Sequence, residues 1–194
     1  MILPIVKYGH PVLRQKGARI EKITPEIKRL IADMFETMHD RHGVGLAAQQ
    51  VGHALQLAVI DVREVTERPS TLELKGKSAD PCEIMPLVLI NLELKPTGAP
   101  VASGEGCLSF PEIYAEVSRP EFVDVRALNE KLKPVEFRAG GLLGRAIQHE
   151  GDHLNGILFI DRMARKTKEE IRPELDDLQA KTKAELEAAR KKGA

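Results

Sequence analysis

The sequence predicts one domain of mixed helices and strands followed by a charged helical tail, and three observations lead to that reading. The first is the stretch from Gln148 to Gly156, in which His149 and His153 stand four residues apart with Glu150 directly after the first histidine. The second is Thr24-Pro25-Glu26, which combines an N-cap oxygen donor with proline at the first helical position. The third is a set of apolar segments of strand length between residues 57 and 137, separated by turn residues. At 194 residues, the chain is long enough for one ordinary domain with a sizeable core.

Taken in order, residues 1–23 read as an irregular arm with a short apolar run, Ile2 to Val6, and a turn at Gly9-His10-Pro11. Ile27, Leu30, Ile31, Met34 and Met38 follow helical spacing and predict a helix over about 25–41. His39 and His42 fall at its end, where the helix dipole favours a cation, and they are poor metal candidates. The small residues of Gly43–Gly52 imply a close backbone approach or positive φ, and the spacing is not that of a phosphate loop. This stretch reads either as a tight connection to the next strand or as a functional loop in which Gln50 presents its amide to a substrate oxygen. Leu57–Val62 is a buried-strand pattern. Residues 63–86 are charged, with Pro69, Gly76 and Pro81, and read as a surface loop or insertion in which Cys82 is a bystander. Pro86–Leu94 is a second strand and Lys95–Pro100 a turn. Ile113–Val117, Glu121–Leu128 and Leu132–Phe137 are further strands, the last two joined by a hairpin turn near Asn129. From Arg162 the composition shifts to charged helix formers, with Ile171, Leu175, Leu178 and Leu186 as an apolar stripe. Pro173 fits the first turn of that helix or breaks a longer one.

The stretch around His149 carries the chemistry. Positions i and i+4 share one helix face, so both imidazoles reach one metal ion, and Glu150 lies about 100° round the helix, near a metal-bound water without being a ligand. Leu142, Ala146, His149 and His153 form one stripe, Leu143, Ile147, Glu150 and Leu154 the next, and Asn155-Gly156 ends the helix. Without further support, the same residues also fit a solvated helix face. Imidazole suits Zn, Fe, Ni or Cu, and a tetrahedral site needs a third protein ligand. Cys107, in Gly104-Glu-Gly-Cys-Leu-Ser-Phe-Pro111, sits on a shaped loop. Alone it reads as a small buried hydrophobe; beside the histidine pair it reads as a soft third ligand.

Composition excludes several classes. Basic and acidic residues number 29 each, so there is no overall field for nucleic acid or an anionic membrane, and no sequence-specific nucleic-acid partner is expected. No apolar run is long enough to span a bilayer. The N-terminus lacks the features of a signal peptide, which predicts a protein that stays where it is made. Two cysteines without an export signal predict free or metal-bound thiols rather than a disulfide.

Three stretches together, Gly43-Val-Gly-Leu-Ala-Ala-Gln-Gln50, Glu105-Gly-Cys-Leu-Ser109 and Gln148-His-Glu-Gly-Asp-His153, closely resemble the motifs of bacterial peptide deformylases, in the same order. The resemblance covers residues 2–164 and implies an α+β fold with antiparallel sheets surrounding a central metal helix. It implies a catalytic domain over 1–164, with 63–86 as a surface insertion, and a helical extension over 165–194. It implies hydrolytic removal of the formyl group from the N-terminal formylmethionine of nascent polypeptides in the bacterial cytoplasm. Cys107, His149 and His153 are then the metal ligands, with Fe²⁺ as the usual ion and Zn²⁺ or Ni²⁺ able to replace it. A metal-activated hydroxide attacks the formyl carbon, Glu150 is general base and acid, and the Gln50 amide and Leu108 N–H meet the developing oxyanion. Val44, Leu142 and Ala146 are candidates for the methionine pocket, Gly45 and the strand near Glu105 for substrate backbone pairing, and Asp152 with Arg119 for steadying the Cys107 loop. Some relatives carry Arg at the position of Tyr114. The basic end of the C-terminal helix suggests docking on the ribosome. An HExxH metallopeptidase would take His or Glu as third ligand, and a non-catalytic metal site or ribosome-docking module has no need of Glu150 or Gln50.

Overall fold

The computed structural model describes residues 1–192, so the last two residues of the expected extension lie outside the described residues. Helix α1 spans Pro25–Asp40; Thr24 caps it, its hydroxyl accepting from the Ile27 N–H at 3.3 Å, and Met34 and Met38 are fully buried. Strands β1 (Gly45–Ala47) and β2 (Leu57–Ile60) follow, then β3 (Ser70–Leu74), β4 (Lys77–Ala79), β5 (Leu87–Cys107), β6 (Phe110–Leu128) and β7 (Pro134–Gly140). They form one antiparallel sheet in the order β1-β2-β5-β6-β7-β3-β4. Helix α2 (Gly141–Leu154) packs against β1, β2, β3, β5, β6 and β7, burying Leu143, Ile147 and Leu154 completely. The sheet therefore surrounds the metal helix, as the α+β reading expects.

Several strands differ from their expected bounds. The expected turn at Lys95–Pro100 is part of β5, and the strands expected at 113–117 and 121–128 are one strand, β6. Pro100 and Pro120 face each other across the pair, next to a register shift between Thr97 and Pro100. Proline lacks the N–H that a regular ladder needs and is tolerated at such irregularities, so prolines that look like breaks only bend a continuous hairpin. Its tip is two residues long, Leu108-Ser109, so Cys107, expected on a shaped loop, ends a strand instead. The 63–86 insertion is also more ordered than a surface loop, because β3 pairs with both β4 and β7.

The N-terminal arm is irregular as expected, with one turn of 3₁₀ helix at Pro11–Arg14. Its backbone ties down two loops of the site: the Val6 N–H donates to the Gln50 carbonyl and the Tyr8 N–H to the Ser109 carbonyl, both at 2.9 Å. Past α2, Gly156 at φ +71° stops the helix. Helices α3 (Arg165–Glu170) and α4 (Arg172–Lys192) are separated at Ile171, with Pro173 in the first turn of α4. Leu175 anchors α4 in a cluster that includes Val12, Phe110 and Phe159. Among the described residues, no helix is long and apolar enough to cross a membrane.

Candidate metal centre and active-site cleft

Helix α2 and the β5–β6 tip meet so that Cys107, His149 and His153 offer ligand atoms all within 4.8 Å of one another. Cys107 Sγ lies 3.3 Å from His153 Nε2, and the two imidazole centroids are 5.0 Å apart. His149 Nδ1 is 3.1 Å from Glu105 Oε2, which leaves its Nε2 for a metal. One thiolate and two imidazoles, converging under near-complete burial of the histidines, fit a borderline divalent ion. Burial opposes a charge on His149, yet Cys107 and Glu105 beside it raise its pKa well above the ordinary value. Burial and the neighbouring His149 push His153 well below it.

Glu105 orders the back of this site. Its carboxylate accepts from Arg119 Nε at 2.6 Å and Arg119 Nη2 at 3.0 Å, from Arg145 Nη1 at 2.6 Å, and faces His149. Burial alone would push the carboxyl up, but the bonds from His149 and Arg119 outweigh it and hold it far below the usual carboxylate range. Arg119 continues to Asp152 at 2.9 Å, and Asp152 also accepts from Arg162 at 2.7 Å. The pair of Arg119 and Asp152 expected to steady the Cys107 loop is thus formed, inside a larger network. The strand near Glu105 is expected as a partner for the substrate backbone; the Glu105 side chain is engaged in this network. Sequence reasoning missed Arg145 and Arg162. Arg145 stands four residues before His149, the helical spacing that lets both reach Glu105, and that spacing was a readable signal.

Glu150 faces the cleft from the same helix. Its Oε2 is buried without a hydrogen-bond partner among the described residues, and burial pushes its pKa up to about 7. Gly45 makes room for it, since a Cβ there would lie 2.5 Å from Glu150 Oε1. Gln50 Oε1 accepts from the Ala47 N–H at 2.8 Å, which turns the amide nitrogen towards Cys107 Sγ at 3.4 Å. A donor is therefore presented beside the Cys107 sulfur. The cleft has a volume of about 730 Å³ and is lined by Val44, Gly45, Gln50, Leu108, Leu142, Ala146 and Glu150, with Cys107, Glu105 and His149. Asp152, Arg119 and His153 lie behind it. Tyr114, three-quarters exposed, sits at the mouth with its ring against Gly106, where a Cβ would fall 2.5 Å away. His39 bonds Asp61 at 3.2 Å, outside the ligand set, and Cys82 is exposed and free.

Comparison with known proteins agrees with this geometry. The polypeptide deformylase family matches residues 2–169. The peptide deformylase of Methylacidiphilum infernorum is 48% identical over 178 residues, covering 92% of this chain and 93% of that one. Among solved structures, peptide deformylase 1B of Arabidopsis thaliana superposes with a TM-score of 0.80 at 37% identity, covering 94% of this chain and 93% of that one. The Legionella pneumophila peptide deformylase gives 0.76 at 35% identity, covering 93% and 96%. With the motif order, the α+β architecture and a match over most of its length, this chain belongs to the polypeptide deformylase family.

Proposed function

We propose that Glu150, Gln50 and the Leu108 N–H act together at a divalent ion held by Cys107, His149 and His153. The reaction is that of the family: hydrolysis of the formyl group from the N-terminal formylmethionine of newly made proteins, releasing formate. The observation that carries the assignment of roles is the buried Glu150 Oε2, without a hydrogen-bond partner among the described residues, in the cleft that Cys107 and His149 of the Cys-His-His set also line. A bound ion supplies Lewis acidity and brings the pKa of an attacking water down towards about 7. Glu150 takes the water's proton and returns it to the leaving amine as the C–N bond breaks. Gln50, its oxygen fixed by Ala47, donates from its amide nitrogen to the oxygen on which charge grows, and Leu108 donates from its backbone. The absence of a side chain at Gly45 leaves room for the Glu150 carboxylate at the cleft.

The methionine side chain is assigned to the wall formed by Val44, Leu142 and Ala146, and substrate backbone pairing to Gly45 and the 105 strand. The ion is assigned as Fe²⁺; the donor set also accepts Zn²⁺ and Ni²⁺. Gln50→Ala tests the oxyanion assignment: kcat for formyl-Met-Ala-Ser should fall ~10²–10³-fold with metal content unchanged. An unchanged kcat would remove Gln50 from the mechanism.

Residues 1–164 are assigned as the catalytic domain, with 165–194 as a C-terminal extension that is helical over most of its described residues. We place the protein in the bacterial cytoplasm, where formylated nascent chains arise. The exposed Arg190, Lys191 and Lys192 at the end of α4 support ribosome docking through rRNA phosphate. Because Leu175 buries α4 against the domain, charge reversal of these three residues is a cleaner test than truncation. Co-sedimentation with ribosomes at low salt should be lost in the triple Glu variant; full retention would contradict docking by this end.

A further inference from the structure

We propose that Ser70 is a positioning residue for the methionine pocket: with Pro69 it forms the N-terminal cap of α2 and so fixes the helical turn that carries Leu142. The proposal rests on the reading of Leu142 as pocket wall given above.

The first turn of any helix leaves N–H groups with no acceptor inside the helix, and the residue before it usually supplies a side-chain oxygen. Before α2 that residue is Gly140, which has no side chain. The acceptors come instead from the distant start of β3. The Pro69 carbonyl accepts from the Leu142 N–H at 3.0 Å, and Ser70 Oγ accepts from the Leu143 N–H at 3.0 Å, across 73 residues of chain. The two segments are held at this separation by pairing of Ser70 with Gly141 and of Thr71 with Gly140. Glycine is required for the approach: Gly141 has φ +60°, and a Cβ there would lie 2.2 Å from the Pro69 oxygen.

This cap sits where substrate recognition is decided. Leu142, whose own N–H is capped, lines the cleft, and so does Arg68, the residue before Pro69. The ordered insertion therefore buttresses the wall of the side-chain pocket at the start of the helix. His149 lies two turns further on and is held separately by Glu105. Loss of the cap should loosen the turn around Leu142 while the hydrolytic groups keep their places. The effect belongs in recognition of the methionine side chain and not in the rate of the bound substrate.

Formate release by metal-loaded wild type, Ser70→Ala and Ser70→Thr, on formyl-Met-Ala-Ser and formyl-Ala-Ala-Ser, tests this. Ser70→Ala should raise KM for the methionine peptide about threefold to tenfold, with kcat held within about twofold. KM for the alanine peptide should stay the same, and threonine, which keeps the hydroxyl, should restore the wild-type KM. An equal rise in KM for both peptides, a fall in kcat at constant KM, or a threonine variant no better than alanine would overturn the proposal. Wild-type protein that releases no formate from the methionine peptide would instead overturn the reading of the site, and the pocket assignment with it.

Discussion

Glu150→Gln should leave the metal content intact and lower kcat for formyl-Met-Ala-Ser by ~10²–10⁴-fold. The substitution keeps the size of the side chain, so glutamine fits the room that Gly45 leaves for Glu150. None of the three ligands is changed, so metal should stay bound. What is lost is the proton acceptor. Glu150 is buried, and its Oε2 has no hydrogen-bond partner among the described residues, so its acceptor oxygen is not tied up elsewhere. Steady-state kinetics beside metal analysis of the same samples checks this. Loss of metal in the variant would mean that Glu150 holds the site together; retained activity would mean that another group moves the proton.

Arg119→Met should have the largest effect on stability, a loss of about 3 kcal/mol in a denaturant melt. Arg119 is 4% exposed and bridges Glu105 and Asp152, which are themselves buried. Removing the cation leaves two carboxylates near each other with less compensation, the costly way to break a buried pair. The loss is held towards the lower end of the range for such pairs because Arg145 and His149 still face Glu105, and Arg162 still faces Asp152. Metal affinity should fall as well, since Glu105 orients His149. Arg126→Met, which breaks an exposed pair with Glu136, is the control and should cost about 0–1 kcal/mol. Equal losses in the two variants would show that the Glu105 network is not a structural brace.

The chemistry was legible in the sequence because it is local. His149, Glu150 and His153 lie within one turn and a half of helix, and the caps at Thr24 and Gly156 act on their immediate neighbours. Cys107 was legible because its residue type supplies what the histidine pair needs. What could not be read is what distant segments do to each other. Lys95–Pro100 and Arg119-Pro120 look like breaks in a linear reading; in the sheet, the two prolines oppose each other at an irregularity and the hairpin runs on. The charged 63–86 segment looks like a loop because its order comes from pairing with β7 and from capping α2, partners far away in the chain. Arg145 and Arg162 look like helix-surface charges until the fold brings Glu105 and Asp152 beneath them. For Glu105 the sequence offered only a strand that could pair with a substrate backbone, and the geometry adds that its carboxylate meets His149 and two arginines.

The measurement that bears most directly on the central claim is formate release from formyl-Met-Ala-Ser by anaerobically purified protein, with bound metal quantified in the same preparation. Turnover in proportion to the metal bound, at one ion per chain, is the predicted result. A fully loaded protein that releases no formate would contradict the account and leave Cys107, His149 and His153 as a site with another task.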